Sequence, residues 1–190
     1  MGDTAPLTPE QPIWKAAAFG DIETLTKWVD IKPELTTSID EQGYYPLQWA
    51  ALNNRVAAVC WLIERGAEVN AVDGSKQTAL HWGAVRGCLP AVELLLRAGA
   101  DPNMVDARGY SVCHVAAQYG HTSLLYHLGT RWNVGLDTRD NDGRNALHWA
   151  AYKGYVGTAR LLLFLDLDCL LSDSEGKSLL FMHHSVIVLD

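Results

Sequence analysis

A leucine slot recurs down this chain at almost constant spacing: Leu47, Leu80, Cys113, Leu147 and Leu180 stand 33, 33, 34 and 33 residues apart. A companion pair travels with it, as Gln48-Trp49, His81-Trp82, His114-Val115 and His148-Trp149. Self-similarity at this period restricts the architecture to a stack of units, each burying its apolar face against its neighbours.

The unit can be read from the copy that opens at Gly143. Gly143 supplies a turn residue, Ala146 to Ala151 favours a short helix, and Gly154 can take the left-handed conformation that ends it. Val156, Ala159, Leu162 and Leu163 follow at three- and four-residue spacing, which predicts a second, one-sided helix. The small pairs Ala50-Ala51, Gly83-Ala84, Ala116-Ala117 and Ala150-Ala151 fall where layers would touch, and small side chains let helices approach to about 8 Å. Gly66-Ala67-Glu68-Val69-Asn70 and Gly99-Ala100-Asp101-Pro102-Asn103 are turn chemistry and predict projecting fingers.

Composition narrows the function. With 190 residues, 48% hydrophobic and 19% charged, the chain has the make-up of a folded globular protein. Its net charge of −7 argues against nucleic acid, whose affinity rests on clustered Lys and Arg. Cys60, Cys88, Cys113 and Cys169 form no CxxC pair, which suits a reducing, cytoplasmic setting. Cys60 and Cys113 occupy apolar slots and are expected to be buried, Cys88 and Cys169 more exposed. The apolar run Leu161 to Leu171 is broken by Asp166 and Asp168 and falls short of the ~20 residues of a membrane span, so no membrane insertion by this chain is expected. His183-His184 has no partner at ligand spacing, and no nucleophile elbow or phosphate loop is present. The expectation is therefore no catalytic residue, no metal and no cofactor, in a monomer.

Thr78-Ala79-Leu80-His81-Trp82-Gly83 and Asn145-Ala146-Leu147-His148-Trp149-Ala150 resemble the Thr-Pro-Leu-His-x-Ala signature of ankyrin repeats. The resemblance implies an all-α solenoid of stacked helix-turn-helix layers with finger loops. It divides the chain into a disordered N-terminal tail (1–12), a degenerate N-terminal capping repeat (13–42), four repeats (43–75, 76–108, 109–142 and 143–171), and a truncated fifth repeat with a C-terminal tail (172–190). Ser185-Val186-Ile187-Val188-Leu189 is apolar where a solenoid needs a polar cap, so the chain is expected to be a truncated form of a longer protein. The same resemblance makes His81, His114 and His148 structural braces to the neighbouring finger.

Leu47-Gln48-Trp49-Ala50-Ala51-Leu52-Asn53-Asn54-Arg55, Ala79-Leu80-His81-Trp82-Gly83-Ala84-Val85-Arg86-Gly87 and Ala116-Ala117-Gln118-Tyr119-Gly120-His121-Thr122-Ser123 are similar, more narrowly, to the ankyrin region of DHHC-type protein S-acyltransferases. These are the huntingtin-interacting palmitoyltransferases of animals and the tip-growth S-acyltransferase of plants. That resemblance implies a cytosolic array, on the face of Golgi or other endomembranes in a parent enzyme, that recruits client proteins through extended, Gln-Pro-containing segments. Asn53 and Trp82 match the family's peptide-gripping positions. In ankyrin repeats the residue after the His is a solvent-facing position of the concave side, here Trp49, Trp82, Val115 and Trp149. Four residues on, the same helix face carries Asn53, Arg86, Tyr119 and Lys153. The expected peptide-binding residues are thus Trp49, Asn53, Trp82, Arg86, Tyr119 and Trp149. The chain lacks the DHHC segment and the membrane helices, and a free-standing ankyrin adaptor unrelated to lipidation is the alternative.

Overall fold

The computed structural model describes residues 12–165 and Ser174. Among them run ten helices in five antiparallel pairs and no strand: α1 (Ile13–Phe19) with α2 (Ile22–Ile31), α3 (Pro46–Leu52) with α4 (Val56–Glu64), α5 (Ala79–Val85) with α6 (Leu89–Arg97), α7 (Val112–Gln118) with α8 (Thr122–Arg131), and α9 (Ala146–Tyr152) with α10 (Val156–Phe164). The tail before Pro12, the fifth repeat, Cys169 and His183-His184 lie outside the described residues.

The first helices stack in one row, α1 on α3 on α5 on α7 on α9, and the second helices form a row behind them. The alanine pairs make the first row possible. Ala16, Ala50, Ala84, Ala116 and Ala150 have no exposed surface, and a Cβ built on Gly83 would lie 2.9 Å from Val92 Cγ2. The second row contributes one leucine per layer, Leu25, Leu62, Leu95, Leu128 and Leu162, each fully buried. Burying such a side chain is worth about 1.5–3 kcal/mol, so this column is a principal source of cohesion between layers.

Each first helix ends at one slot with a left-handed residue, as expected from Gly154. At the third layer a side chain would also find no space, because a Cβ on Gly87 (φ 64°) would sit 2.6 Å from the His121 ring. In the second layer Asn54 (φ 54°) does the same work, since its short amide tolerates that region. The predicted second helix of the last described layer is present, with Ala159 and Leu162 buried, while Val156 lies at its exposed edge.

Between layers, the chain turns sharply at Asp40, Asp73, Asp106 and Asp140 to form fingers. Neighbouring fingers are tied to one another: Ala107 N–H donates to the Ser75 carbonyl at 2.9 Å and Asn141 N–H to the Arg108 carbonyl at 3.1 Å. The finger face of the molecule is built from these turns and the first-row helices.

Candidate functional site

Every finger is organised around its aspartate. Asp40, Asp73, Asp106 and Asp140 are buried. One oxygen of each accepts the backbone N–H groups two and four residues on: Gln42 and Tyr44, Ser75 and Gln77, Arg108 and Tyr110, Asp142 and Arg144, all at 2.8–3.0 Å. The other oxygen faces the helix that follows. It receives the indole N–H of Trp49 at 2.8 Å from Asp40, of Trp82 at 3.0 Å from Asp73, and of Trp149 at 2.9 Å from Asp140. Val115 has no N–H to offer, and Asp106 Oδ2 instead accepts from Gln77 Nε2 at 3.2 Å. The tryptophans therefore splint each finger to its own helix. The sequence signal was available, because the four aspartates keep the repeat's 33- and 34-residue spacing and stand nine residues before the tryptophan slot.

With the N–H fixed, the ring faces are left to decide what the slot presents. Trp49 and Trp82 are half-buried and meet edge to face, centroids 5.4 Å apart, with Tyr44 against Trp82 at 4.6 Å. Such pairs add about 0.5–1.5 kcal/mol beyond area burial. The cluster is consequently rigid and still exposes aromatic surface. Trp149 corrects the expectation of a solvent-facing slot: it is only 8% exposed. Tyr110 packs on it at 5.2 Å, Tyr152 at 5.9 Å, and the Arg144 guanidinium lies 5.6 Å from its ring centre.

The second expected row is also assembled. Asn53 Nδ2 donates to the Trp49 carbonyl at 2.9 Å, and its Oδ1 accepts from Arg86 Nη1 at 3.0 Å. Asn53 thus links the Trp49 helix to the next layer. Tyr119 is 47% exposed and stacks near His121. Lys153 is exposed, its ammonium 5.6 Å from the Tyr152 ring centre. Phe19 occupies the same slot in the first layer and is 62% exposed.

Behind this surface the His slot braces the stack. His81 Nδ1 accepts the Thr78 N–H at 3.2 Å, so the proton resides on Nε2, which donates to the Tyr110 carbonyl at 2.9 Å. His114 repeats the arrangement between the Ser111 N–H and the Arg144 carbonyl. Gln48 reproduces it with an amide: Oε1 accepts from Tyr45 N–H at 2.9 Å, and Nε2 donates to the Gln77 carbonyl at 2.7 Å and to Asp73 Oδ2 at 2.9 Å. Burial holds the His81 and His114 pKa values below the ordinary histidine value, partly opposed by these carbonyl contacts.

Two cysteine expectations reverse. Cys88 is buried, its thiol 3.4 Å from the Leu52 carbonyl, and Cys60 is the half-exposed one, donating to Glu64 Oε1 at 3.2 Å. Cys88 begins α6 where it crosses the preceding layer, a contact between repeats that spacing within one repeat does not reveal. Cys113 is buried as expected, and burial pushes its thiol up to about 12. Among the described residues no His/Cys/Asp/Glu cluster could hold a metal ion, and no helix is long and apolar enough to cross a membrane.

Residues 13–106 and 86–173 match the sequence profile of ankyrin repeats (3 copies). Over its repeats the chain is similar to DHHC-type palmitoyltransferases. It is 45% identical over 154 residues to the probable protein S-acyltransferase 23 of Arabidopsis thaliana, an alignment taking in 81% of this chain and 29% of that protein. It is 38% identical over 168 residues to palmitoyltransferase AKR1 of Saccharomyces cerevisiae, covering 85% of this chain and 22% of that one. Inversin of Mus musculus is 30% identical over 163 residues, covering 85% of this chain and 15% of inversin. The chain spans less than a third of the length of each of these relatives.

Proposed function

The chain belongs to the ankyrin-repeat proteins, and from that premise we propose that its finger face is the concave docking surface of a substrate-recruiting array of the protein S-acyltransferase type. Ankyrin repeats mediate protein–protein binding, and the chain carries such repeats. In this reading the array holds an extended, Gln-Pro-containing segment of a client protein. Acyl transfer belongs to the remainder of a longer polypeptide, and the compartment is the cytoplasm.

The observation that carries the reading is the Tyr44–Trp49–Trp82 cluster beside the linked Asn53 and Arg86 side chains. A rigid aromatic surface next to fixed donors suits a guest whose proline ring lies on an indole and whose amides find polar partners. Trp149 is a weaker contact in this scheme, because its ring is covered.

A pull-down with immobilised Gln-Pro-containing peptides tests it. The 190-residue chain is expected to be retained, and Trp82→Ala and Asn53→Ala to be lost from the resin. Equal retention of wild type and both variants removes the proposal. The second reading, a scaffold unrelated to lipidation, draws on the match to inversin, and it is favoured if no S-acylation client binds while other extended peptides do.

A further inference from the structure

Charge is sorted between the two rows of helices. The first-row helices α1, α3, α5, α7 and α9 contain no aspartate or glutamate, while α2, α4 and α6 carry Glu23, Asp30, Glu64 and Glu93. Second-row cations find those carboxylates: Lys27 pairs with Glu23 at 2.7 Å, Arg65 with Asp30 at 3.7 Å, and Arg97 and Arg131 with Glu93 at 2.8 and 3.4 Å. His127 and Trp132 also bond Glu93.

The finger face is arranged otherwise. Its four repeated aspartates are buried and committed to backbone N–H groups and to an indole or, at Asp106, an amide N–H, so they present little charge outward. Lys15, Arg86 and Lys153 are exposed along its helices, with Lys76 and Arg108 on the fingers. Against them, on the loops, stand exposed Glu41, Glu68, Asp101 and Asp137, and Asp142, which is engaged by Arg144 at 3.0 Å, while Arg108 pairs with Asp106 at 3.7 Å. In a chain of net charge −7, the first-row helices thus present Lys15, Arg86 and Lys153 with no carboxylate of their own. Arg86 is the best-placed member, because the bond to Asn53 takes one of its five N–H donors and orients the rest.

We infer that the segment docked on this face is acidic, with carboxylate side chains that meet Arg86 and Lys153. This rests on the docking role above and specifies its partner. The two cations lie two layers apart, about 20 Å at ~10 Å per layer. An extended strand advances about 3.3 Å per residue, which sets the two carboxylates about six residues apart. The Tyr119 phenol lies in the row between them and can donate to the intervening backbone.

The test is fluorescence anisotropy of the full 190-residue chain with three labelled Gln-Pro-containing peptides that differ only at two positions six residues apart, bearing Ala, Glu or Lys. The Glu peptide is expected to bind tighter than the Ala peptide by roughly fivefold per ion pair, the upper range for exposed pairs, and the gain should fade as salt is raised. The double variant Arg86→Glu/Lys153→Glu should invert the order, so that the Lys peptide binds best. Equal affinity for the three peptides overturns the acidic preference and leaves the docking role standing. Failure of every peptide to bind overturns both. Sedimentation of the chain with phosphatidylserine vesicles that Arg86→Glu/Lys153→Glu abolishes, without preference among the peptides, would assign the cations to a membrane surface and also overturn the inference.

Discussion

Trp82 and Trp149 occupy the same slot of the same repeat and make the same bond to an aspartate nine residues earlier, yet one presents a half-exposed ring and the other is closed over. The preceding layer does not explain it, because Tyr44 packs on Trp82 as Tyr110 packs on Trp149. The two slots differ in the residues that flank each tryptophan within its own repeat. Trp149 has Arg144 above its face and Tyr152 at its edge, where Trp82 has Gln77 and Val85 at the matching positions. One repeat skeleton thus carries an accessible ring in one layer and a packed one in another, with different residues at two flanking positions.

The largest break in this comparison is expected at the aspartates. Asp73→Ala strands two backbone N–H groups, the Trp82 indole and the Gln48 amide, and should cost about 4 kcal/mol of unfolding free energy. Asp106→Ala, whose following helix carries Val115 in the tryptophan slot, strands two backbone N–H groups and the Gln77 amide and should cost about 1 kcal/mol less. Urea denaturation of both variants checks the difference, and equal losses would contradict the splinting role of the indole.

Next, Trp149→Ala removes a buried ring and is expected to destabilise by about 3 kcal/mol with peptide retention largely intact. Trp82→Ala should do the reverse, losing peptide with a smaller loss of stability. Paired melting and pull-down measurements decide between them. More finely, Arg144→Ala combined with Tyr152→Val should uncover Trp149 and raise acrylamide quenching of tryptophan emission toward that of an accessible indole. Unchanged quenching would show that the finger alone buries the ring.

The smallest effect concerns the brace. The folded pKa values of His81 and His114 lie below their unfolded value of 6.5. The unfolded chain therefore takes up protons first, and stability present above pH 6.5 declines as pH falls through that value. His81→Gln should fold, since Gln48 makes both bonds of the slot, and should shift stability by no more than about 1 kcal/mol while flattening the pH slope. Denaturation midpoints at pH 7.5 and 5.5 read this out, and an unchanged slope would clear His81 of the titration.

Much of the candidate site was legible in the sequence because repetition places equivalent residues in register. Trp49 with Trp82, and Asn53 with Arg86, could be put on one face by counting. What counting missed was the engagement of the ring N–H groups. Counting slots gives tryptophan to the solvent, and the aspartate column that captures it belongs to the finger, whose partner lies on the following helix. Cys60 and Cys88 exchanged their expected environments for a similar reason, since burial at those positions is set by the neighbouring layer.

The period of 33 residues, the alanine pairs, the left-handed helix ends and the apolar face of each second helix belong to the sequence alone, because they are local demands that every copy states separately. The accessibility of each tryptophan, the capture of Gln48, His81 and His114 by the next finger, and the link between Asn53 and Arg86 were decided only by the stack. These depend on which groups from different layers come within a few ångströms of one another. Burial and pairing act over those distances in space, whatever the separation along the chain.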